Sequence, residues 1–493
     1  MINLHTFVRI ALVSTLLLLP RITSAQHEVV SGGGSTRDIA VGESSSRPAS
    51  GPRRSVRAST AVRKPRAAIR RGLTAEQYNA QGDTFFDAEQ YDDALDTYTK
   101  AVQLKPMATA YYHIGWIYND RDDYDQALAA LQQSVRLDAN SARAFDELGY
   151  SLRNLKRYEE AFAAYRHAVS VDPTFAKAYY DTGWLYNDLK QYAQAVQPLN
   201  RAITLNRSYA EAYNELGYAQ RKLGSFQDAI SAYRQATSLK ADYANAYFGL
   251  GDVYFYNTNQ YQEAIDAYTR GLNIKSDNAT AAYNIGWSYN ELKQYQQAIP
   301  SLEKATNLKS DYAEAYAELG YAYRKLERTD DAMRSYNEAI RLKPDYAQPR
   351  FGLGDLYFYN LNRYQDAVTN YQQALRLKPD NAVANYNIGW AYNDMSRYSD
   401  AISALVEAVR LKPEYAEAHN ELGYAYLNTN RYRDAVTAFQ QAVRVKPDYG
   451  MAYYNLGITY LDLKDKDKAY EQYRVLQRID KARADKLYAE INK

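Results

Sequence analysis

Residues 145–173 read FDELGYSLRNLKRYEEAFAAYRHAVSVDP, and the spacing inside this stretch decides the fold. Gly149 lies between Leu148 and Tyr150, Ala161 stands twelve residues on, Tyr165 and Ala168 follow at helical intervals, and Pro173 closes the unit. Apolar residues keep a helical period on two segments parted by a short polar turn, so two antiparallel helices are expected. A glycine on the first helix and an alanine on the second let the pair approach where a larger side chain would wedge it apart. An aromatic residue then fills the space left over.

Working outward, the same glycine recurs at Gly82, Gly115, Gly149, Gly183, Gly217, Gly251, Gly286, Gly320, Gly354, Gly389, Gly423 and Gly457, in steps of 33, 34 or 35 residues. An alanine follows each at twelve or thirteen residues, from Ala94 to Ala469. The filling slot holds Tyr98, Tyr165, Tyr233, Tyr268, Tyr336, Tyr371 or Phe439, with Leu131, Leu199, Leu302 and Leu405 replacing it in other units. Pro106, Pro173, Pro344, Pro379, Pro413 and Pro447 share the closing slot. A fixed period of this length means about twelve stacked helix pairs, an all-α repeat architecture.

Composition agrees. The chain has 493 residues, 46% hydrophobic and 24% charged, which excludes both general disorder and a polytopic membrane protein. With 51 Tyr against 12 Phe and 4 Trp, the tyrosine bias belongs to the repeat. No cysteine is present, so disulfides, thiolate nucleophiles and cysteine metal sites are excluded. The first 25 residues carry Arg9, an apolar run from Ile10 to Leu19, Pro20 and then Thr23, Ser24 and Ala25 before Gln26, which reads as a secretory signal peptide cleaved after Ala25. As a helix the run would rise about 15 Å, half a bilayer core, so no transmembrane span is expected after cleavage. Residues 26–72 are rich in Gly, Ser, Pro and Arg and read as a flexible linker. Its basic part, residues 44–71, is expected either as a solvated tether or as a contact to an anionic surface, and the export signal argues against nucleic acid. From residue 73 onward 48 Lys and Arg face 55 Asp and Glu, a net of −7.

On the residues quoted from Leu148 to Pro173, the chain resembles the tetratricopeptide repeat (TPR) family over about residues 74–481. The resemblance implies a right-handed superhelical solenoid of about twelve helix-turn-helix units, its first helices lining a concave groove. One departure is plain: family members usually place Trp four residues before the glycine, where this chain has Tyr78, Tyr111, Phe145, Tyr179, Tyr213, Tyr247 and Tyr316. A longer period overlies the first, because residues 209–311 and 312–414 align as two 103-residue blocks of three repeats. Within each block the glycines are followed by Tyr, Asp and Trp, and the Asp unit carries one extra residue in its inter-helix turn, around Asn257 and Asn360. Thr74 with Gln77 reads as a capping box. The repeat region is taken as residues 73–481, and 482–493, entered from Lys481, as an amphipathic helix capping the last repeat.

The search for catalysis finds no convergent constellation. His113, His167 and His419 are scattered, no phosphate loop or nucleophile elbow occurs, and the GxG at Gly249 and Gly251 is a helix-packing pair. No cofactor, metal or enzymatic activity is expected. All four tryptophans, Trp116, Trp184, Trp287 and Trp390, follow the repeat glycine directly, a slot that the resemblance places on the concave groove. Tyr112, Tyr180, Tyr283 and Tyr386 precede them on the same helical face, and Asn119, Asn187, Asn290 and Asn393 follow three residues later. Such rows suit a binding surface, because aromatics bury large area and Asn offers donor and acceptor. Inter-repeat packing is the competing role. Asp188 with Lys222 and Glu291 with Lys325, each 34 residues apart, are expected to pair between neighbouring repeats. The expected function is an exported, periplasmic or secreted, non-enzymatic scaffold for a protein or peptide partner. The alternatives are a polysaccharide-binding or export accessory protein and a self-assembling surface-fibre subunit.

Overall fold

The computed structural model describes residues 73–493, so the expected signal peptide and basic linker lie outside the described residues. Among the described residues there are twenty-five α-helices and no strand. They pair into twelve repeats, each with a first helix A and a second helix B. Repeats 1 to 4 are Ala75–Asp87 with Tyr91–Leu104, Ala108–Asp120 with Tyr124–Leu137, Ala142–Asn154 with Tyr158–Val171, and Ala176–Asp188 with Tyr192–Leu205. Repeats 5 to 8 are Ala210–Lys222 with Phe226–Leu239, Ala244–Asp252 with Tyr261–Ile274, Ala279–Glu291 with Tyr295–Leu308, and Ala313–Lys325 with Thr329–Leu342. Repeats 9 to 12 are Ala347–Asp355 with Tyr364–Leu377, Ala382–Asp394 with Tyr398–Leu411, Ala416–Asn428 with Tyr432–Val445, and Gly450–Asp462 with Lys466–Ile479. The last helix is Lys481–Ile491.

The packing inside a repeat is the one its glycine and alanine dictate. A Cβ on Gly286 would stand 2.4 Å from Cγ of Leu302, and one on Gly149 would stand 2.6 Å from the Tyr165 ring. The alanines facing them, Ala298 and Ala161 among them, are completely buried. Gly249 and Gly352, the extra glycines, make room for the rings of Tyr233 and Tyr336 from the preceding B helix. In repeat 12 the filling residue comes from outside the repeat: Leu487 of the terminal helix meets Gly457, and Leu487, Ile491 and Ala484 are buried. The capping box at the other end forms, with Gln77 N donating to Thr74 Oγ1 at 3.2 Å and Thr74 N donating to Gln77 Oε1 at 2.9 Å.

Each A helix packs on its own B helix and on the preceding B helix, and successive A helices also touch at most junctions. The A helices therefore converge and form the inner face, while the B helices fan outward. In repeats 6 and 9 the extra residue does not simply lengthen the turn as expected. It is absorbed as a π-helical turn, Val253–Asn257 and Leu356–Asn360, closed by Thr258 N to Val253 O and Leu361 N to Leu356 O, each 3.1 Å. A widened turn re-aims the side chains at the end of the A helix.

Candidate functional site

The four predicted sets fall on four A helices: Tyr112, Trp116 and Asn119 in repeat 2, Tyr180, Trp184 and Asn187 in repeat 4, Tyr283, Trp287 and Asn290 in repeat 7, and Tyr386, Trp390 and Asn393 in repeat 10. Each tyrosine leans toward its tryptophan where a ring pair forms, with centroids 6.0 Å apart for Tyr180 and Trp184, 6.0 Å for Tyr283 and Trp287, and 5.9 Å for Tyr386 and Trp390. Tyr180, Tyr283 and Tyr386 also meet Tyr209, Tyr312 and Tyr415 of the next repeat at 4.9, 5.0 and 4.8 Å. Burial raises the Tyr283 and Tyr386 phenols well above their ordinary range, and the carboxylates of Glu318 and Glu421 add to the rise. These hydroxyls are neutral donors at physiological pH.

The tryptophans all use one neighbour, the residue four after the glycine of the preceding repeat. Trp116 meets Phe86 at 4.9 Å, Trp287 meets Phe255 at 4.8 Å and Trp390 meets Phe358 at 5.0 Å, all edge to face. Trp184 instead lies under Arg153, whose guanidinium carbon is 3.3 Å from the ring centroid, and it is only 7% exposed. Trp116, Trp287 and Trp390 are half-buried. One part of each of these three indoles thus joins repeats, and another part faces solvent.

The asparagines are packed between repeats. Asn119, Asn187, Asn290 and Asn393 are 1 to 3% exposed. Each amide donates to the main-chain oxygen and the carboxylate of a glutamate on the next A helix: Glu147 at 3.1 and 3.0 Å, Glu215 at 3.0 and 2.9 Å, Glu318 at 3.2 and 2.8 Å, Glu421 at 3.0 and 2.9 Å. Their donors are committed to the repeat junction and orient the A helices. Of the expected charge pairs, Asp188 accepts from Arg153 Nε at 2.7 Å rather than meeting Lys222, which lies over the Tyr218 ring. Glu291 accepts from Trp287 Nε1 at 3.3 Å, and Lys325 lies over Tyr321.

Sequence reasoning missed Tyr256 and Tyr359. They lie in the π-helical turns and are 52% and 50% exposed, yet each anchors a buried relay. Tyr256 donates to Asn284, Asn284 donates to the Tyr268 hydroxyl, that hydroxyl donates to Asp252 at 2.7 Å, and Asp252 pairs with Arg221 at 3.0 Å. Tyr359, Asn387, Tyr371, Asp355 and Arg324 repeat the relay one block later. The only sequence signal was the extra residue in those two repeats. Among the described residues no cluster of His, Asp and Glu is arranged to hold a metal ion, and no helix is long and apolar enough to cross a membrane.

Family models described as tetratricopeptide repeat match residues 79–142, 142–175, 164–197, 244–278 and 420–484, and one described as TPR repeat matches 183–224, 219–257, 286–326, 320–360, 358–396 and 389–430. No curated protein sequence matches the chain. Among solved structures, YrrB, titled a TPR protein with an unusual peptide-binding site, is 25% identical with a TM-score of 0.36, covering 38% of this chain and 96% of YrrB. MamA is 25% identical with a TM-score of 0.33, over 34% of this chain and 90% of its own. The Cut9-Hcn1 hetero-tetramer is 16% identical with a TM-score of 0.40, over 78% of this chain and 96% of that one. From residue 79 to residue 484 the repeat models run through nearly all of the helical stack, and the chain belongs to the tetratricopeptide repeat family.

Proposed function

We propose that this protein is an exported, non-enzymatic scaffold that binds a protein or peptide along the face of its A helices. Membership of the repeat family supports the coarse reading, a scaffold for protein–protein interaction. The groove reading rests on one observation: three tryptophans half-buried on one inner face, with half-exposed Tyr256 and Tyr359 on the same run of A helices. A partner that completes the burial of such rings gains large apolar area at little side-chain entropy cost. Trp184, already covered by Arg153, is left to packing.

The purified protein is the bait, and envelope extract the source of partner. A protein recovered by the wild type should be lost when Trp287 and Trp390 are both changed to Ala, a loss of more than about 2 kcal/mol in affinity on the hot-spot scale, with little change in melting. A large fall in melting with unchanged affinity would assign both rings to packing. Binding on a glycan array, with soluble polysaccharide displacing the captured protein, would favour the polysaccharide reading instead. Export is read separately by intact mass after native expression, where a chain starting near Gln26 is expected and retained Met1 would refute it.

A further inference from the structure

The order of the repeats breaks at one tryptophan. Trp116, Trp287 and Trp390 each follow a repeat whose glycine is succeeded by Asp83, Asp252 or Asp355, whereas Trp184 follows one that carries Tyr150 there. The joint between repeats 3 and 4 is therefore irregular, and its residues differ accordingly. Where Lys177 and Asp181 stand in repeat 4, the other tryptophan repeats have Thr109 with His113, Thr280 with Asn284 and Val383 with Asn387.

Lys177 Nζ donates to Asp146 Oδ2 of the preceding A helix and to Asp181 Oδ2 at 2.7 Å, and Glu147 Oε1 lies 3.6 Å away. Asp146, Asp181 and Glu147 are 1, 2 and 3% exposed. Three carboxylates share one ammonium, so full ionisation leaves negative charge uncompensated where water does not reach. Asp146 Oδ1 is buried without a hydrogen-bond partner, and so is the hydroxyl of Tyr165, which has Asp181 and Asp146 as charged neighbours. An ionised oxygen there loses its hydration and gains no donor; a protonated carboxyl avoids that cost. Burial pushes the Asp146 carboxyl well above the usual carboxylate range, with Lys177 opposing and Asp181 and Glu147 assisting. The other groups facing the cluster are Arg143, Arg153 and the phenols of Tyr112, Tyr165, Tyr180 and Tyr209, which burial keeps neutral. Arg153 is held by Asp188 at the opposite end of the two A helices, so Lys177 is the cation bonded to the cluster.

We propose that this joint is a protonation-controlled contact: with a proton on Asp146 the A helices of repeats 3 and 4 hold together, and as that proton leaves with rising pH the contact loosens. An aspartate in an opened, hydrated joint titrates near about 3.9. The closed joint keeps its proton to higher pH, so the contribution of the cluster to closure is complete below that value and is lost as pH rises through the closed-state one. Repeats touch only their neighbours, so the change stays at this joint and alters how repeats 1 to 3 are held against repeats 4 to 12.

The test is hydrogen exchange of the purified full chain, corrected for the intrinsic pH dependence of exchange and read over residues 142–188. One linked proton changes protection by at most about tenfold per pH unit, so wild-type protection there should fall about tenfold or more from about pH 5 to about pH 8. Asp146→Asn, a neutral stand-in for the protonated carboxyl, should hold its protection within about twofold over the same range. Residues 382–479, in repeats 10 to 12, should change equally little in both proteins. Lys177→Met leaves three carboxylates without their cation, so its joint should be less protected than the wild type near about pH 8 and recover toward about pH 5. The asparagine variant keeps the test valid even if the methionine variant folds poorly. The same pH profile in the wild type and Asp146→Asn, or a fall spread evenly along the stack, would overturn the proposal.

Discussion

Every turn from an A helix to its B helix contains one residue in the left-handed region, and eleven of the twelve are not glycine: Lys156 at φ 59°, Lys190 at φ 59° and Lys293 at φ 60° are examples, with Gly224 at φ 80° the exception. The turn needs that conformation to satisfy the last carbonyls of the A helix, as when Gln191 N donates to Tyr186 O at 2.8 Å. A side chain there costs about 1–2 kcal/mol, partly offset because glycine loses more chain entropy on folding. Lys156→Gly is therefore expected to raise the unfolding free energy by roughly 0.5–1 kcal/mol, read by denaturant titration; an unchanged midpoint would contradict the strain argument. Glu318 makes a pH-dependent prediction. Burial pushes its carboxyl up to about 7, the hydrogen bond from Asn290 opposing and the Glu291 carboxylate assisting. In the unfolded chain a glutamate titrates near about 4.3. Between those values the folded state keeps a proton that the unfolded chain has lost, so this group's contribution to stability falls as pH rises through the window and is flat above it. The melting temperature of Glu318→Gln minus that of the wild type should accordingly grow from about pH 4.3 to about pH 7 and then level off; parallel melting curves across pH would refute the shift.

Single helices show where local preference yields to the repeat. The B helix Tyr295–Leu308 carries Pro300 in its interior, exposed, where the ring removes a backbone hydrogen bond. Pro300→Ala should stabilise by about 1–3 kcal/mol, since proline is that much worse than alanine inside a helix; a thermal melt showing no gain would mean the neighbouring turns have already relaxed around it. The A helices of repeats 6 and 9 show the opposite case, in which an insertion is kept as a π-helical turn that carries Tyr256 and Tyr359 to the surface while their hydroxyls stay tied to Asn284 and Asn387.

Over the whole stack, contacts run from each helix pair to its neighbours, so damage should stay local. Ala298 is fully buried against Gly286. Ala298→Phe should cost about 1–3 kcal/mol by overpacking, with hydrogen-exchange protection lost mainly over residues 252–340; uniform loss along the chain would contradict nearest-neighbour coupling. The pairing of Gly149 with Tyr165, the completely buried alanines, the capping box at Thr74 and the terminal helix were all legible in the sequence. They were legible because each is local or joins residues at a spacing the repeat holds almost constant. The sequence also placed the tyrosines and tryptophans of repeats 2, 4, 7 and 10 on one face of their helices. It gave no sign that the amides of Asn119, Asn187, Asn290 and Asn393 donate to glutamates of the next repeat, paired Asp188 with Lys222 rather than with Arg153, and passed over Tyr256 and Tyr359. Those features depend on how one A helix leans on the next and which rotamer spans the junction, and a period in the chain carries no record of either. The sequence by itself determined the repeat and its core. Only the packed junctions decided which polar groups are spent holding neighbours together and which rings stay partly exposed.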